Sequence, residues 1–306
     1  MAWIVMRYRI YFLWENLNNR LKGEQTMRTK TYWTIVIGLI LGICLLLSPG
    51  PAQAQVDPFG IYEDWSSPTI RSDRWIGRVD DAQEVRREVK GKSLSMRSRR
   101  EGSTISNEGF VNVYHRIYAG NSTAINQIEA DLMVKSYTVT GCEANPNTTR
   151  VRPAAISLNR FNDGSSPGPG NMIGDYIMRV LVNREANSPD AKGLFTVQPF
   201  LFRCLDKDCV EGVSPLLPAL GQVKAGKWFT LRIIWDKPNH QFLVGLNDGP
   251  EVAVVYPESA HISNAARPFA DVRMQLIAGN CEAGPTVTDA EILVGEIRTN
   301  VSAIIP

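Results

Sequence analysis

The chain has 306 residues, 33 of them Lys or Arg and 31 Asp or Glu, so its formal net charge is +2. Residues 1–54, which are predicted below to be removed, contain six basic and two acidic residues. The rest of the chain has 27 basic and 29 acidic residues, which give a net charge of −2. Without a basic excess to neutralise phosphates, non-specific nucleic-acid binding is excluded. The remaining stretch of about 250 residues suits one large all-β domain.

An apolar segment without charged residues occupies residues 33–47, behind Arg28 and Lys30, and is followed by an Ala-Gln-Ala sequence that ends at Ala54. A basic region, an apolar stretch of roughly 7 to 15 residues and a small-x-small site make up a secretory signal peptide. A membrane-spanning helix needs about 20 apolar residues, whereas this run ends in the helix breakers of residues 48–51. We therefore predict cleavage after Ala54 and a secreted or periplasmic protein without a stable membrane span.

Signal peptides lie at the N-terminus, so the predicted start of translation is Met27 rather than Met1. The codons for Lys22-Gly23-Glu24 are necessarily purine-rich, like a bacterial ribosome-binding site. We interpret residues 1–26 as an upstream extension, residues 27–54 as the signal peptide and residues 55–306 as one mature domain from a bacterial host.

The predicted mature chain alternates short runs rich in β-branched and aromatic residues with turn clusters, and no helical stripe of ten or more residues stands out. Residues 84–89 and 93–99 are predicted to form a hairpin. Further strands are predicted, in chain order, at residues 110–117, 125–137, 155–161, 175–183, 194–202, 228–235, 241–246, 251–256, 272–278 and 290–298. About a dozen strands are too many for one sheet without curling or splitting, which predicts an all-β, two-sheet antiparallel sandwich.

Four cysteines follow the predicted cleavage site: Cys142, Cys204, Cys209 and Cys281. An even number in an exported chain indicates disulfides, for which three pairings exist. Cys204 and Cys209 enclose only four residues, a spacing that closes a hairpin end, which leaves Cys142 to pair with Cys281. The alternative is a zinc site, but neither the spacing nor the positions of histidines match one, so no metal site is predicted.

Residues 228–236 and 242–249 resemble paired strands of the concanavalin A-like lectin/glucanase domains, a jelly-roll superfamily that includes laminin G-like modules. Residues 63–65 and 74–75 are similar to its opening strands, and residues 289–297 to its closing strand. The resemblance covers residues 59–300 and implies a jelly-roll sandwich. The superfamily contains lectins, hydrolases, lyases and adhesion modules, so function has to be argued from a site.

Calcium is common in this superfamily, and the resemblance leaves it open here. Asp163 and Asp248 lie in loops suited to a cation, although the sequence has no ordered run of oxygen ligands such as an EF-hand loop. No other cofactor is expected.

The segment Gln127 to Val134 alternates apolar and polar residues and places Glu129 and Asp131 on one strand face, about 7 Å apart at the backbone. Retaining glycosidases use two carboxyl groups about 5 Å apart. Laminarinase-type glucanases of the superfamily have a strand motif Glu-x-Asp-x-Glu. Glu129 and Asp131 match its first two acids and are the predicted catalytic residues, while Met133 stands in place of the third. The alternative is an ordinary strand with a solvated acidic face.

Lyase chemistry needs a base such as Tyr or His and a cation to hold a uronate carboxylate. Tyr114 and Arg116 share a strand face, whereas His115 between them faces the other way. Jelly-roll alginate lyases have a Gln-Ile-His signature, and Gln127-Ile128 continues into Glu129 instead. A hydrolase is therefore favoured over a lyase, and whether the protein is an enzyme is left open.

Carbohydrate binding requires an aromatic platform and a few polar partners. Gln127, Glu129, Asp131, Arg179 and Gln275 are predicted to line one sheet, although most tryptophans are expected in the core. The predicted ligand-binding residues are Tyr114, Arg116, Gln127, Arg179, Trp235 and Gln275. The favoured function is a secreted, lectin-like protein that binds a poly- or oligosaccharide; the alternatives are a hydrolase or lyase, or a structural or adhesion module of the cell envelope.

Overall fold

The computed structural model describes residues 59–80, 84–105, 110–143, 149–215 and 217–301. The predicted signal peptide and the segment before it lie outside the described residues. The described residues form sixteen strands, in chain order β1 Gly60–Glu63, β2 Trp75–Asp80, β3 Glu84–Lys90, β4 Ser93–Glu101, β5 Phe110–Ala119, β6 Gln127–Thr140, β7 Arg150–Asn162, β8 Asp175–Glu185, β9 Leu194–Cys204, β10 Gly212–Val213, β11 Gly221–Lys224, β12 Trp228–Asp236, β13 Gln241–Leu246, β14 Val252–Val255, β15 Ser263–Gly279 and β16 Val287–Thr299.

The strands form two antiparallel sheets of eight strands each. Sheet A has the order β14-β13-β12-β6-β16-β4-β3, with β1 paired to β16. Sheet B has the order β10-β9-β8-β7-β15-β5-β2, with β11 paired to β9. The all-β, two-sheet antiparallel sandwich predicted from the sequence is confirmed.

The hydrophobic core lies between the sheets because alternate residues of each strand point inward. On β6 the apolar set Ile128, Ala130, Leu132 and Val134 is buried, as its period of two predicts. The core also contains Trp65 and Trp75, whose rings stack at a centroid distance of 5.8 Å. These two tryptophans therefore stabilise the fold and are not available to a ligand.

Four short strands, β1, β2, β10 and β11, were not predicted from the residue pattern, although the resemblance implied opening strands near β1 and β2. One long strand of sheet B, β15, is longer than predicted. β15 covers Ser263–Gly279 instead of residues 272–278. Its pairing with β7 shifts register between Asn264 and Phe269, around Pro268, which has no N–H to donate to a ladder. This irregularity removes the alternation by which a strand is identified in sequence.

Both predicted disulfides are present, Cys142–Cys281 and Cys204–Cys209. Cys142 follows β6 of sheet A and Cys281 follows β15 of sheet B, so the first bridge joins the two sheets. The second closes the turn after β9, with a Cα–Cα distance of 4.8 Å.

The described residues between 59 and 301 form one compact unit. Across the described part of the chain, no helix has the length and apolar character required to cross a membrane.

Candidate functional site

The residues predicted from the sequence to be catalytic or to bind a ligand lie on two different sheets. Gln127, Glu129 and Asp131 belong to β6 of sheet A. The other set belongs to strands β5, β8 and β15 of sheet B and contains Tyr114, Arg116, Arg179 and Gln275. The prediction that Gln127, Glu129, Asp131, Arg179 and Gln275 line one sheet is therefore wrong, because strand period defines a face but not the sheet to which a strand belongs.

Trp235 belongs to neither set. Its side chain is partly buried and packs against the core between the sheets. Its indole N–H donates a hydrogen bond of 2.8 Å to the hydroxyl of Tyr256, and its ring stacks on Phe161 at 6.1 Å. The structure thus places Trp235 within an aromatic group at one end of the sandwich.

Glu129 and Asp131 lie on the same outer face of sheet A, as predicted, and both are bound by arginines. Arg298 contacts Glu129 at 2.5 Å and Asp131 at 3.1 Å, and Arg232 contacts the second oxygen of Glu129 at 2.5 Å. The hydroxyl of Thr230 also lies 2.7 Å from Asp131. Burial alone would lower the pKa of Arg298, but the two carboxylates outweigh it and raise that pKa.

An exposed aromatic side chain lies beside this acidic pair. Trp228 pairs with Met133, the residue in the place of the motif's third acid, and its side chain is about half exposed. Its ring extends over Gly295, where an added Cβ would lie 3.1 Å from the indole and 3.2 Å from the Cβ of Asp131. The glycine therefore allows the indole to lie across the sheet surface.

The outer face of sheet B contains a groove with a volume of about 380 Å³. Its lining combines arginines, aromatic rings and the disulfide turn, and consists of Tyr114, Arg116, Tyr118, Met172, Ile177, Arg179, Asp208, Cys209, Val210, Arg267, Phe269 and Arg273. Three of these twelve, Tyr114, Arg116 and Arg179, were predicted to bind a ligand. We call this cavity the sheet B groove.

Two arginines of the groove lining, Arg179 and Arg273, bind buried polar side chains of sheet B, which we call the floor of the groove. Ser157 and Asp271 have no exposed surface and Arg273 has 2%. Nε of Arg273 donates to Asp271 over 3.0 Å, and a second, shorter contact completes a two-point ion pair. Next to it, Nε of Arg179 donates to the hydroxyl of Ser157 over 3.3 Å. This network fixes the directions of two guanidinium groups.

One side of the groove is a chain of polar contacts that includes the predicted Tyr114 and Gln275. The amide nitrogen of Gln275 donates to the Tyr114 hydroxyl over 2.8 Å, and Arg152 donates to the amide oxygen over 2.7 Å. The guanidinium of Arg116 lies 4.8 Å from the centroid of the Tyr114 ring. The Tyr114 side chain is thereby oriented by the amide of Gln275 and by the guanidinium of Arg116.

The opposite side is apolar. Tyr118 and Phe269 pack edge to face at 5.6 Å, beside a small cluster that includes Met172 and Ile177. Burial, and then the charge of Asp271, raises the pKa of the Tyr118 hydroxyl, which stays protonated at neutral pH.

The loops that border the groove are held by a buried carboxylate, Asp175. It accepts hydrogen bonds from the side-chain amides of Asn159 at 2.8 Å and Asn162 at 2.7 Å, and from the backbone N–H of Ala266 at 2.8 Å. The backbone N–H of Met172 then donates to Lys207, which joins the loop before β8 to the disulfide turn. A rigid scaffold of this kind is what a preformed binding groove requires.

Sequence reasoning missed Arg273 of the groove lining, together with Asp271, which binds it, and Arg152, which binds Gln275. The signal for Arg273 was available, since period two on the predicted strand 272–278 puts it on the same face as Gln275. Asp271, Tyr118 and Phe269 had no comparable signal, because they lie just outside the predicted strands at residues 110–117 and 272–278.

Within the described ranges, no group of three His, Cys, Asp or Glu side chains is placed to hold a metal ion. Asp163, considered above for calcium, instead pairs with Arg203 at 2.6 Å.

No family model and no curated protein matches this chain. Among solved structures, the catalytic domain of a laminarinase from Thermotoga petrophila is similar over 80% of this chain and 98% of its own, with 10% identity and a TM-score of 0.41. A laminarinase from Flavobacterium is similar over 78% and 100%, with 10% identity and a TM-score of 0.39. A carbohydrate-binding module from Bacillus subtilis is similar over 67% and 92%, with 13% identity and a TM-score of 0.33. The strand pairing itself gives the two-sheet antiparallel sandwich that the sequence resemblance implied.

Proposed function

We propose that this chain is an exported protein that binds a poly- or oligosaccharide in the sheet B groove. The observation that supports this most is the combination of aromatic rings and fixed hydrogen-bond donors in one concave site. The rings of Tyr114 and Tyr118 offer apolar surface, and the guanidinium of Arg179 and the Tyr114 hydroxyl offer oriented polar groups. Sugars present both an apolar ring face and hydroxyl groups, so they match such a lining.

Two further properties support the proposal. The groove volume of about 380 Å³ falls in the range of roughly 300 to 1,000 Å³ typical of small-molecule sites. The two disulfides fit an oxidising, extracytoplasmic compartment, where polysaccharides are accessible.

Tyr114→Ala is expected to weaken glycan binding about tenfold, because it removes an aromatic face together with the hydroxyl that Gln275 orients. The measurement is the affinity of the purified protein for the glycan identified on a glycan array. Trp228→Ala is the matched control, since it removes an exposed aromatic ring from sheet A instead.

An effect of Trp228→Ala without one of Tyr114→Ala would move the binding site to sheet A. A complete lack of binding across the array would favour the structural or adhesion role, and crosslinking would then be expected to find a protein partner.

Hydrolysis at Glu129 and Asp131 is the second candidate, favoured by the half-exposed Trp228 beside Asp131. The ion pairs with Arg232 and Arg298 oppose it, because a nucleophile or acid must leave them to reach a substrate. If this candidate holds, the protein releases reducing ends from laminarin, and Asp131→Asn and Glu129→Gln abolish the release. A wild-type protein that binds laminarin without producing reducing ends would remove it.

A further inference from the structure

Among the described residues, the lining of the sheet B groove has more positive than negative side chains. Its lining includes four arginines, Arg116, Arg179, Arg267 and Arg273. Asp208 is the acidic residue in the same lining, and Asp271 in the floor is bound to Arg273. The surface that faces a ligand therefore has a positive potential although the predicted mature chain has a net negative charge.

Arg179 is partly buried, and its guanidinium makes fewer hydrogen bonds than that of Arg273. Burial, and then the nearby charge of Arg273, lowers the pKa of Arg179 to about 9, so it is still protonated at neutral pH. Its side chain has five N–H donors, and the structure shows one hydrogen bond, to the neutral hydroxyl of Ser157. No carboxylate of the described residues lies within ion-pairing distance of it. A bound anion would stabilise this group.

Arg152, beneath the polar side of the groove, has the same kind of surroundings. It donates to the amide oxygens of Gln275 at 2.7 Å and Asn183 at 3.3 Å, both of which are neutral. Burial, and then the charge of Arg150, lowers its pKa to about 10. The guanidinium of Arg152 is thus held by two neutral amide groups and not by a carboxylate.

The cations extend across several strands. Arg116 on β5 is paired with Arg273 on β15, and Arg179 lies on β8, two strands further along the sheet. Neighbouring strands are about 4.8 Å apart, so three intervals from β5 to β8 cover roughly 14 Å. A row of this length fits a chain with repeated negative charges better than one small anion.

We propose that the glycan bound in the sheet B groove is acidic, with carboxylate groups on its sugar rings that the groove arginines bind. This inference rests on the proposed function. A guanidinium is a planar fork that binds a carboxylate at two points, as Arg273 already does with Asp271. Tyr114 and Tyr118 stack on sugar rings, a contact that a polyanion without rings does not make.

The test measures binding of the purified protein to four probes at 50 mM NaCl: polygalacturonate, its neutral methyl ester, laminarin and polyglutamate. We expect polygalacturonate to bind at least tenfold more tightly than the other three. Raising NaCl to 300 mM is expected to weaken this binding at least fivefold, because salt screens ion pairs at an accessible site.

Arg179→Gln is expected to weaken polygalacturonate binding more than tenfold. Arg267→Gln, at an exposed position on the rim, is expected to weaken it about threefold without affecting folding. Arg86→Gln is the matched control, since it removes the same charge from an exposed site on sheet A and is expected to change affinity less than twofold. If Arg179→Gln does not fold, Arg267→Gln with its control decides the question.

The remaining outcomes separate this inference from the proposed function. If the methyl ester or laminarin binds as tightly as polygalacturonate, the inference of an acidic ligand is overturned and the proposal of glycan binding stands. Equal binding of polyglutamate would show that the groove recognises charge alone and would overturn both. Polygalacturonate binding that neither groove variant weakens would place the acidic site elsewhere and overturn the inference.

Discussion

Removing the Cys142–Cys281 bridge is expected to lower the free energy of unfolding by about 5 kcal/mol. The bridge closes a loop of 139 residues, and in the chain-entropy model the stabilisation grows with the logarithm of loop length. It also joins the ends of strands from the two sheets. The measurement is denaturant unfolding of the Cys142→Ser/Cys281→Ser protein and of the wild type, with circular dichroism as the probe.

The Cys204–Cys209 bridge is the matched control, because it closes a loop with a sequence separation of only 5. The same model gives about 2 kcal/mol for Cys204→Ser/Cys209→Ser. Since Cys209 lines the sheet B groove, this variant is expected to weaken glycan binding in addition to this small loss of stability. Equal stability losses in the two double variants would contradict the loop-length argument.

The strand faces could be predicted from the sequence because side-chain direction is a local property. Period two correctly placed Glu129 with Asp131, and Tyr114 with Arg116, without any knowledge of neighbouring strands. The number of sheets followed from the number of strands. The first inference uses only neighbouring residues, and the second only counts strands that were each identified from neighbouring residues.

The sheet to which each strand belongs could not be predicted in this way. Glu129 is bound by Arg232 and Arg298, which are 103 and 169 residues away in sequence. These contacts depend on β6 lying between β12 and β16, an order that no local pattern specifies. Residues of two opposite faces were therefore assigned to one site.

The arginines of the sheet B groove illustrate a second limit. An arginine on the polar face of a strand is normally solvated, so Arg152 and Arg273 did not stand out in the sequence. Their importance comes from their partners on neighbouring positions of the folded sheet, which are Gln275 and Asn183 for Arg152 and Asp271 for Arg273. A buried outer face is a tertiary property and has no signature in strand period.

The stability of the protein is expected to fall steeply in acid because of one histidine, His115. As predicted from alternation, His115 points away from Tyr114 and Arg116 and lies buried in the sandwich. Neither ring nitrogen has a hydrogen-bond partner among the described residues. Burial, and then the positive charge of Arg87, lowers its pKa from 6.5 to about 3. The folded protein therefore holds the imidazole neutral.

The sign of the effect follows from proton binding. Below about pH 6.5 the unfolded chain protonates this histidine and the folded protein does not, so its contribution to stability is complete above that pH and is lost toward pH 3. Between pH 7 and pH 4 the loss is about 3 kcal/mol. His115→Leu, which has a similar volume and no charge, is expected to avoid this loss. The free energy of unfolding of wild type and variant is measured by denaturant unfolding at pH 7 and pH 4. Because the carboxylates titrate in both proteins, the difference between the two losses of stability isolates the contribution of His115. An equal loss of stability in wild type and variant would show that the imidazole is protonated in the folded state.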